Sequence, residues 1–329
     1  MSEIQKIAIT GLGSFLPEKI LSNADLEKMV DTSDEWILKR TGIRQRRIVE
    51  DGVATSDLAA KASLSALEDA KLSPSELDLI ITSTVTPDHL FPSTSCYIQD
   101  KIGAVNAGAF DILAACAGFV YALSIAQGFI SSGAMNNILV VGAECLSKFT
   151  DYKDRTSCVL FGDGAGAAVV QKSKGNSGLL SFVLGADGSN ADILILPGGG
   201  SRIPPSEESV KQRLHYMKIK GKEVFKLATN NLVHLIEKTL NKSGISKSEI
   251  DLLVPHQSNI RIIKAAMKKL DIPMEKVYVN IDKYGNTSSA SVPIALDEAK
   301  RTNRIHDGDL VLLAALGGGL TWSSALLRW

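Results

Sequence analysis

The segment LSPSELDLII at positions 72–81 decides the fold, because ISKSEIDLLV at positions 245–254 repeats it without gaps. The offset that carries position 72 onto position 245, called the repeat offset below, also carries NNILVVG at positions 136–142 onto DLVLLAA at positions 309–315. Two separate segments that agree on one period indicate a duplication. Only two copies with so long a period predict two similar halves packed together, and not a solenoid array.

Short β-branched runs alternate with stretches of helical periodicity, which predicts an α/β fold whose sheets are covered by helices. The expected strands lie at positions 6–10, 77–82, 138–141, 167–170, 250–254 and 310–314, with helices at 57–70, 220–240 and 292–301. Lys, Gly, Ser and Asn cluster at positions 171–178, as they do in loops between elements. We therefore predict an N-terminal half of residues 1–172 and a C-terminal half of residues 173–329.

The composition indicates an ordered globular protein. Of the 329 residues, 45% are hydrophobic, and the 36 Lys and Arg residues balance the 36 Asp and Glu residues, so net charge favours neither nucleic acid nor membrane as a partner. The opening MSEIQK lacks the basic-then-apolar order of a signal peptide, and we expect a cytoplasmic location. The four cysteines show no metal-ligand spacing, so we expect neither a metal site nor a disulfide framework.

Cys116 is the first candidate for chemistry. It lies in ILAACAGF at positions 112–119, directly before an apolar stretch of helical character. Helix amides and the macrodipole at a helix start can lower a thiol pKa from about 8.5 toward neutrality, which would make Cys116 a nucleophile. The alternative is a structural cysteine, because free cysteine is among the most buried residue types.

Two downstream residues complete a chemical pattern. His256 follows the predicted strand 250–254 at its carboxyl end, where open α/β sheets bind ligands, and Asn286 lies in the turn-like segment YGNTSSA. Taken alone, His256 could be a satisfied core residue and Asn286 a backbone cap. Together with Cys116 they supply a nucleophile and two donors for an oxyanion, which is what acyl transfer requires.

Seven motifs along the chain carry a family resemblance. They are DTSDEWI (31–37), RTGIR (40–44), AACAG (114–118), FGDGAG (161–166), PHQSN (255–259), GNTS (285–288) and GGGLTW (317–322). Over essentially its whole length the chain resembles the β-ketoacyl-acyl carrier protein synthase III family of the thiolase-like superfamily. The resemblance implies a five-layered αβαβα fold of two pseudo-symmetric halves, a homodimer, and catalysis without a metal or redox cofactor.

The resemblance also implies the reaction and its residues. The family condenses an acyl-CoA primer with malonyl-acyl carrier protein, through an acyl-cysteine and a decarboxylation, and so starts fatty-acid synthesis. Cys116 would be the acylated nucleophile, while His256 and Asn286 would stabilise the enolate. The backbone amides of Cys116 and Gly318 would form the oxyanion hole.

Further residues match the family's substrate contacts. Trp36 and Arg155 correspond to the pair that sandwiches the CoA adenine, for which a planar indole and guanidinium are suited. A core tryptophan is the alternative for Trp36. The match implies that Arg40 contacts the nucleotide, Asn259 the pantetheine, and Phe91 the acyl pocket of the partner subunit.

A basic helix face is the expected carrier-protein site. The family comparison places five residues near the mouth of the active site: Lys226, Arg261, Lys264, Lys268 and Lys269. Arg261, Lys264 and Lys268 are spaced at i, i+3 and i+7, which forms one stripe of a helix. Carrier proteins are acidic, so we predict docking there, with an ordinary solvated helix face as the alternative.

Related classes fit less well. A degradative thiolase would need a second cysteine in the loop 314–319, the elongating synthases pair the cysteine with two histidines, and hydroxymethylglutaryl-CoA synthase needs a glutamate that positions 82–88 do not clearly offer. Two alternatives stay open: an inactive carrier-binding or heterodimerising subunit, and a CoA-dependent condensing enzyme of secondary metabolism. Departures from the common pattern at Ala117, Ser258 and Ser323 leave the preferred primer undetermined.

Overall fold

The computed structural model describes residues 6–329, so the expectation about a signal peptide rests mainly on residues outside the described part. The strands within it are β1 (Ile7–Phe15), β2 (Ile20–Ser22), β3 (Gln45–Arg47), β4 (Leu79–Ser83), β5 (Gly108–Ile112), β6 (Asn137–Glu144), β7 (Gly164–Lys172), β8 (Gly178–Ala186), β9 (Leu194–Ile195), β10 (Lys218–Ile219), β11 (Leu252–Pro255), β12 (Leu310–Gly317) and β13 (Thr321–Arg328). The α-helices are α1 (Asn23–Glu27), α2 (Asp34–Thr41), α3 (Thr55–Ala70), α4 (Thr94–Ile102), α5 (Gly118–Ser131), α6 (Glu207–Lys211), α7 (Gly221–Ser243), α8 (Ile260–Leu270), α9 (Ile281–Tyr284) and α10 (Ser291–Arg301).

Two large sheets share one plan. The first has the order β1-β7-β6-β4-β5 and the second the order β8-β13-β12-β11. In each sheet the first two pairings are antiparallel and the third is parallel. The repeat offset carries β4 onto β11 and β6 onto β12, which confirms the predicted duplication.

The helices form three layers around these sheets. Helices α3 and α4 cover the outer face of the first sheet, α7 covers the outer face of the second beside α8, and α5 and α10 lie between the two sheets. Helix α5 is apolar around most of its circumference, as a helix buried on both sides must be. The resulting αβαβα order confirms the predicted fold class.

Close packing of α3 on the first sheet depends on a glycine. A Cβ atom at Gly11 of β1 would lie 2.3 Å from the carbonyl oxygen of Ala66 in α3, so only glycine allows this approach. Ala59, Ala62 and Ala66 of α3 are fully buried in the same layer. Small residues on both elements therefore set the spacing between helix and sheet.

The six predicted strands and three predicted helices all form, with shifted ends, whereas β5, β8 and β13 of the two large sheets were missed. Strand β13 contains Ser323 and Ser324, which are buried and interrupt its apolar pattern. The division of the chain at residues 172 and 173 stays a prediction. Among residues 6–329, no helix has the length and apolar character needed to span a bilayer.

Two short 3-10 turns precede the central helices, and the repeat offset relates one to the other. Ala115–Ala117 leads into α5, and Ser288–Ala290 leads into α10. The first residue of each turn has a left-handed backbone, with φ of 47° at Ala115 and 48° at Ser288. Non-glycine residues rarely adopt this conformation, which persists only where the surroundings enforce it and which marks both turns as candidate functional sites.

Candidate active site

The turn that carries Cys116 is held from the opposite half of the molecule. Thr321 Oγ1 donates a hydrogen bond of 2.8 Å to the carbonyl oxygen of Ala114, and Ser323 Oγ donates one of 2.8 Å to that of Ala117. Both donors belong to β13 of the second sheet. They offset the strain at Ala115, which is about 1–2 kcal/mol for a left-handed non-glycine residue. Cys116 therefore has a fixed position at the start of α5.

His256 lies immediately after β11, and its backbone amide donates to the carbonyl oxygen of Ala314 at 2.8 Å. Its Nδ1 atom is 2.6 Å from Ser291 Oγ. The Gln257 amide donates to the same oxygen at 3.4 Å, so the hydroxyl proton of Ser291 is directed at Nδ1. A neutral imidazole that accepts at Nδ1 carries its own proton on Nε2. No described residue engages Nε2, which is thus an available donor.

Asn286 is oriented by its own turn. Its Oδ1 atom accepts a hydrogen bond of 2.9 Å from the amide of Ser288. Its backbone amide donates to the carbonyl oxygen of Leu160 at 2.9 Å, and its carbonyl oxygen accepts from the amide of Gly162 at 3.0 Å. With Oδ1 occupied, the side chain can offer only the Nδ2 protons, for which the described part of the chain provides no acceptor.

Cys116, His256 and Asn286 line a single cavity of about 680 Å³. Each is nearly enclosed, with an exposed fraction of 6% for Cys116 and His256 and 8% for Asn286. Trp36, Arg40, Asn259 and Arg261 line the same cavity. The structure therefore brings a thiol and two neutral hydrogen-bond donors together at one end of a space that also contains four further predicted residues.

The protonation state of the site differs from the sequence-based expectation. Burial raises the pKa of Cys116 to about 12, and a hydrogen bond with the Ser288 hydroxyl opposes this shift. The predicted lowering toward neutrality was wrong, because loss of solvent around the sulfur outweighs the favourable helix start. Burial also lowers the pKa of His256 to about 3. Both side chains are therefore neutral near pH 7, and they do not form an ion pair.

A glycine loop runs directly over the nucleophile. A Cβ atom at Gly317 would lie only 2.7 Å from the backbone nitrogen of Cys116. The amide of the next residue, Gly318, has no hydrogen-bond partner among residues 6–329. This leaves it available as a donor, although the assignment of the Cys116 and Gly318 amides to an oxyanion hole stays a prediction.

Of the predicted nucleotide contacts, Trp36 and Arg40 line the cavity, and Arg155 packs against Trp36. Trp36 is half-buried, and the guanidinium carbon of Arg155 is 5.1 Å from its ring centroid, with that of Arg40 at 6.0 Å. A base between Trp36 and Arg155 needs about 7 Å, which is two van der Waals contacts of about 3.5 Å. Arg155, which also donates to the carbonyl oxygen of Asp31 at 2.8 Å, must therefore move outward to admit a purine.

Asn259 has a structural task in this structure. Its Oδ1 atom accepts from the amide of Arg261 at 2.9 Å and caps α8, while its Nδ2 atom donates to the carbonyl oxygen of Arg40 at 3.0 Å. Its predicted contact with pantetheine stays a prediction. Phe91 lies away from the cavity of its own chain, with an exposed fraction of 85%.

The predicted docking residues are exposed on two neighbouring helices, Lys226 on α7 and the others on α8. Arg261 also borders the cavity, where its guanidinium carbon is 5.2 Å from the ring centroid of Phe225. Lys222 was missed, although it lines the cavity one turn before Lys226 and that spacing could have revealed it. In the described part of the chain, no group of three or more His, Cys, Asp or Glu residues could hold a metal ion.

Comparisons with known proteins place this site in context. The family model for the 3-oxoacyl-[acyl-carrier-protein] synthase III domain matches residues 110–188, and the model for its C-terminal domain matches residues 240–329. The beta-ketoacyl-[acyl-carrier-protein] synthase III of Caldanaerobacter subterraneus is 55% identical over 99% of each chain. A crystal structure of 3-oxoacyl-[acyl-carrier-protein] synthase III from Aquifex aeolicus has a TM-score of 0.90 at 48% identity, covering 99% of this chain and all of that one. The priming beta-ketosynthase of the R1128 polyketide pathway has a TM-score of 0.91 at 36% identity, covering this chain fully and 98% of that one.

Proposed function

This chain belongs to the 3-oxoacyl-[acyl-carrier-protein] synthase III family, and on that premise we propose how its residues divide the work of the reaction. It is an acyltransferase that condenses an acyl-CoA primer with malonyl-acyl carrier protein and thereby initiates fatty-acid synthesis. The observation that carries the mechanism is the convergence of Cys116, His256 and Asn286 on one cavity.

In the first half-reaction, the sulfur of Cys116 attacks the thioester carbon of the acyl-CoA. A carbon–sulfur bond to the enzyme forms, and the bond to CoA breaks. The proton lost by Cys116 is balanced by the proton gained by the departing CoA thiolate. The free amide of Gly318 and the amide of Cys116 are the donors for the oxyanion of the tetrahedral intermediate.

In the second half-reaction, malonyl-acyl carrier protein occupies the same cavity. Loss of CO2 leaves its bonding electron pair on the thioester as an enolate, whose oxygen accepts hydrogen bonds from His256 Nε2 and Asn286 Nδ2. The enolate carbon attacks the acyl group on Cys116, the bond to sulfur breaks, and the released thiolate takes up a proton from solvent water. Two neutral donors suit this step, because a developing negative charge in a buried site is stabilised by preoriented dipoles. We infer that no metal or redox cofactor is needed, since every electron pair is accounted for by these groups and the substrates, and the one proton consumed comes from solvent water.

The CoA primer enters along the cavity from the Trp36 end. We infer that Arg155 swings away from Trp36 so that the adenine stacks between them, while Arg40 contacts the nucleotide phosphates. Asn259 lines the same cavity, and we infer that its side chain contacts the pantetheine arm. The 55% identity to the Caldanaerobacter synthase III supports these assignments.

We infer that an acidic carrier protein docks on the exposed basic residues of α7 and α8, of which Lys222 and Arg261 line the cavity. Reversal of charge in Arg261→Glu should slow discharge of the acyl-enzyme by malonyl-carrier while leaving acyl-CoA loading near its normal rate. Lys238→Glu is the matched control, because Lys238 is exposed on α7 about 18 Å along the helix from Lys226. Equal effects of Arg261→Glu on both half-reactions would argue against docking at this face.

A second copy of the chain is the proposed partner. Strand β5 is an edge of the first sheet, and the next residue, Leu113, has an exposed fraction of 79%. Leu90 and Phe91 are exposed by 82% and 85%, and Asp111 of β5 ties their segment to this edge by accepting from the amide of Thr94 at 2.6 Å. An unpaired edge beside large exposed apolar side chains is typical of a buried interface. A homodimer formed there would carry Phe91 toward the acyl pocket of the other subunit.

Acyl transfer to the protein tests the function directly. Incubation with acetyl-CoA should add the mass of one acyl group to Cys116, and malonyl-acyl carrier protein should then remove it as a β-ketoacyl product. Cys116→Ala is the control and should acquire no acyl group. A wild-type protein that neither acquires nor discharges the group would be a non-catalytic carrier-binding subunit. A panel of acyl-CoA primers, short, branched and long, would identify the preferred substrate.

A further inference from the structure

The carboxyl group of Glu144, at the end of β6, lies beside the site but takes no part in the reaction derived above. The residue is completely buried. Its Oε1 atom is 2.7 Å from Ser289 Oγ, its Oε2 atom is 2.7 Å from Thr86 Oγ1, and the amide of Val85 donates to both oxygens at 3.3 and 3.1 Å. Burial raises the pKa of this carboxyl, and the neighbouring groups with the largest effects on that pKa do not include a cation.

The hydrogen bonds around Ser289 indicate where a proton resides. Ser289 Oγ lies within hydrogen-bond distance of two oxygens, the carbonyl oxygen of Ser83 at 2.9 Å and Glu144 Oε1 at 2.7 Å. The hydroxyl has one proton to donate, and the carbonyl oxygen has none. The single hydroxyl proton of Ser289 could serve both contacts only as one shared, weaker bond, whereas both are full hydrogen bonds if Glu144 donates a proton to Ser289 Oγ and Ser289 donates its own to Ser83.

The second carboxyl oxygen is satisfied as an acceptor. Thr86 Oγ1 accepts from the amide of Cys145 at 2.9 Å, so its own proton is free to be donated to Glu144 Oε2. A protonated carboxyl therefore leaves every group in this buried chain paired. A carboxylate would leave the two oxygen contacts of Ser289 to share one proton, which is unfavourable in a buried place.

The internal duplication shows what this contact replaces. The repeat offset carries Cys116 onto Ser289 and Glu144 onto Gly317. At the Cys116 turn, Gly317 of the opposite half packs against the Cys116 backbone with no room for a side chain, and both residues border the cavity. At the Ser289 turn, the equivalent position in the opposite half is Glu144, whose carboxyl group contacts Ser289. The turn Ser288–Ala290 therefore corresponds to the turn Ala115–Ala117, but it is covered by the carboxyl group of Glu144.

We propose that Glu144 is a protonated positioning residue, which locks the turn Ser288–Ala290 and so fixes Asn286 and Ser291 on either side of it. This inference rests on the function proposed above. Asn286 is three residues before Ser289, and Ser291, whose hydroxyl sets the tautomer of His256, is two residues after it. The decarboxylation step depends on both donors and therefore on this lock. Acyl loading depends on Cys116, whose own turn is held by Thr321 and Ser323.

Two substitutions separate a neutral donor from a carboxylate. In Glu144→Gln, the amide nitrogen can donate to Ser289 Oγ and the amide oxygen can accept from Thr86 Oγ1, so both half-reactions should proceed at about the wild-type rates. In Glu144→Leu, the lock is lost, and decarboxylation should slow by ~10- to 100-fold while acyl loading of Cys116 is largely kept, since small misplacements of catalytic groups have effects of this size. The difference infrared spectrum of wild type minus Glu144→Gln should contain the C=O stretch of a protonated carboxyl near neutral pH.

The outcomes are decisive in both directions. Absence of that band, or a loss of activity in Glu144→Gln as large as in Glu144→Leu, would overturn the proposal. If neither Glu144 variant folds, Ser289→Ala provides the test, because it removes the hydroxyl that receives the proton. The carboxyl C=O band of the wild-type protein should then shift, and an unshifted band would also refute the proposal. A wild-type protein that fails to acylate Cys116 would instead sink the proposed function, while the infrared band would still report the protonation of Glu144.

Discussion

Removal of the Ser291 hydroxyl is the most informative perturbation of the site. In the wild type, this hydroxyl donates to His256 Nδ1 over 2.6 Å and so keeps the imidazole proton on Nε2. Ser291→Ala leaves a buried ring nitrogen without its partner, which costs about 1–3 kcal/mol in comparable cases. If this energy is lost from the donor tautomer, enolate formation should slow by ~10- to 100-fold, because about 1.36 kcal/mol corresponds to a factor of ten.

The assay follows each half-reaction separately. Acyl loading from acetyl-CoA is measured by mass spectrometry of Cys116, and decarboxylation by release of labelled CO2 from malonyl-acyl carrier protein. Ser291→Thr keeps a hydroxyl and should retain most of the rate. Ser63→Ala is the matched control, because it removes an equally buried serine hydroxyl from α3, far from the cavity. The reasoning is refuted if Ser291→Ala decarboxylates at the wild-type rate or slows both half-reactions alike.

Three further results are expected. Because burial raises the pKa of Cys116 to about 12, the rate of its alkylation by iodoacetamide, measured in a Cys96→Ser background, should keep rising with pH through the usual thiol range near ~8.5. A rate that reaches a plateau below that range would contradict the burial argument. Burial lowers the pKa of His256 from 6.5 to about 3, so on acidification the unfolded chain binds a proton that the folded protein does not, and the free energy of unfolding should fall by about 2 kcal/mol at about pH 5. Urea titrations should show a smaller fall for His256→Gln. Identical falls in the two proteins would exclude His256 as the cause. Leu113→Lys should shift the protein toward monomer, as measured by light scattering. The control Leu64→Lys, on the outer face of α3, should leave the molecular mass unchanged. An unchanged mass for Leu113→Lys would place the interface elsewhere.

The internal repeat predicted the sheets well because a duplicated sequence must satisfy the same packing twice. It located β4 and β11, and it located β6 and β12. Strands β8 and β13 escaped notice, since β13 buries serine hydroxyls that are satisfied only by distant parts of the chain, such as the bond from Ser323 to Ala117. A hydrogen bond between residues so far apart in the sequence leaves no local pattern.

The residues of the candidate site were likewise predictable from the sequence only in part. Motif spacing predicted Cys116, His256 and Asn286, and the structure brings them into one cavity. Their protonation was beyond sequence reasoning, because the pKa of a thiol depends on how much solvent the packed neighbours exclude. Ser291 and Glu144 were missed for a related reason. Neither belongs to a recognisable motif of reacting groups, and their importance appears only in the contacts that folding creates.

Enclosure of the sulfur of Cys116 also has a consequence for survival under oxidative stress. Hydrogen peroxide attacks thiolates, and it converts them first to sulfenic acid and then to forms that are not readily repaired. The raised pKa of Cys116 keeps its thiolate fraction small near neutral pH, which slows this attack. We therefore expect the resting enzyme to react with peroxide more slowly than proteins with exposed low-pKa cysteines do. Electrophilic drugs face the same barrier, and they should succeed by imitating the shape of the natural substrate more than by greater reactivity.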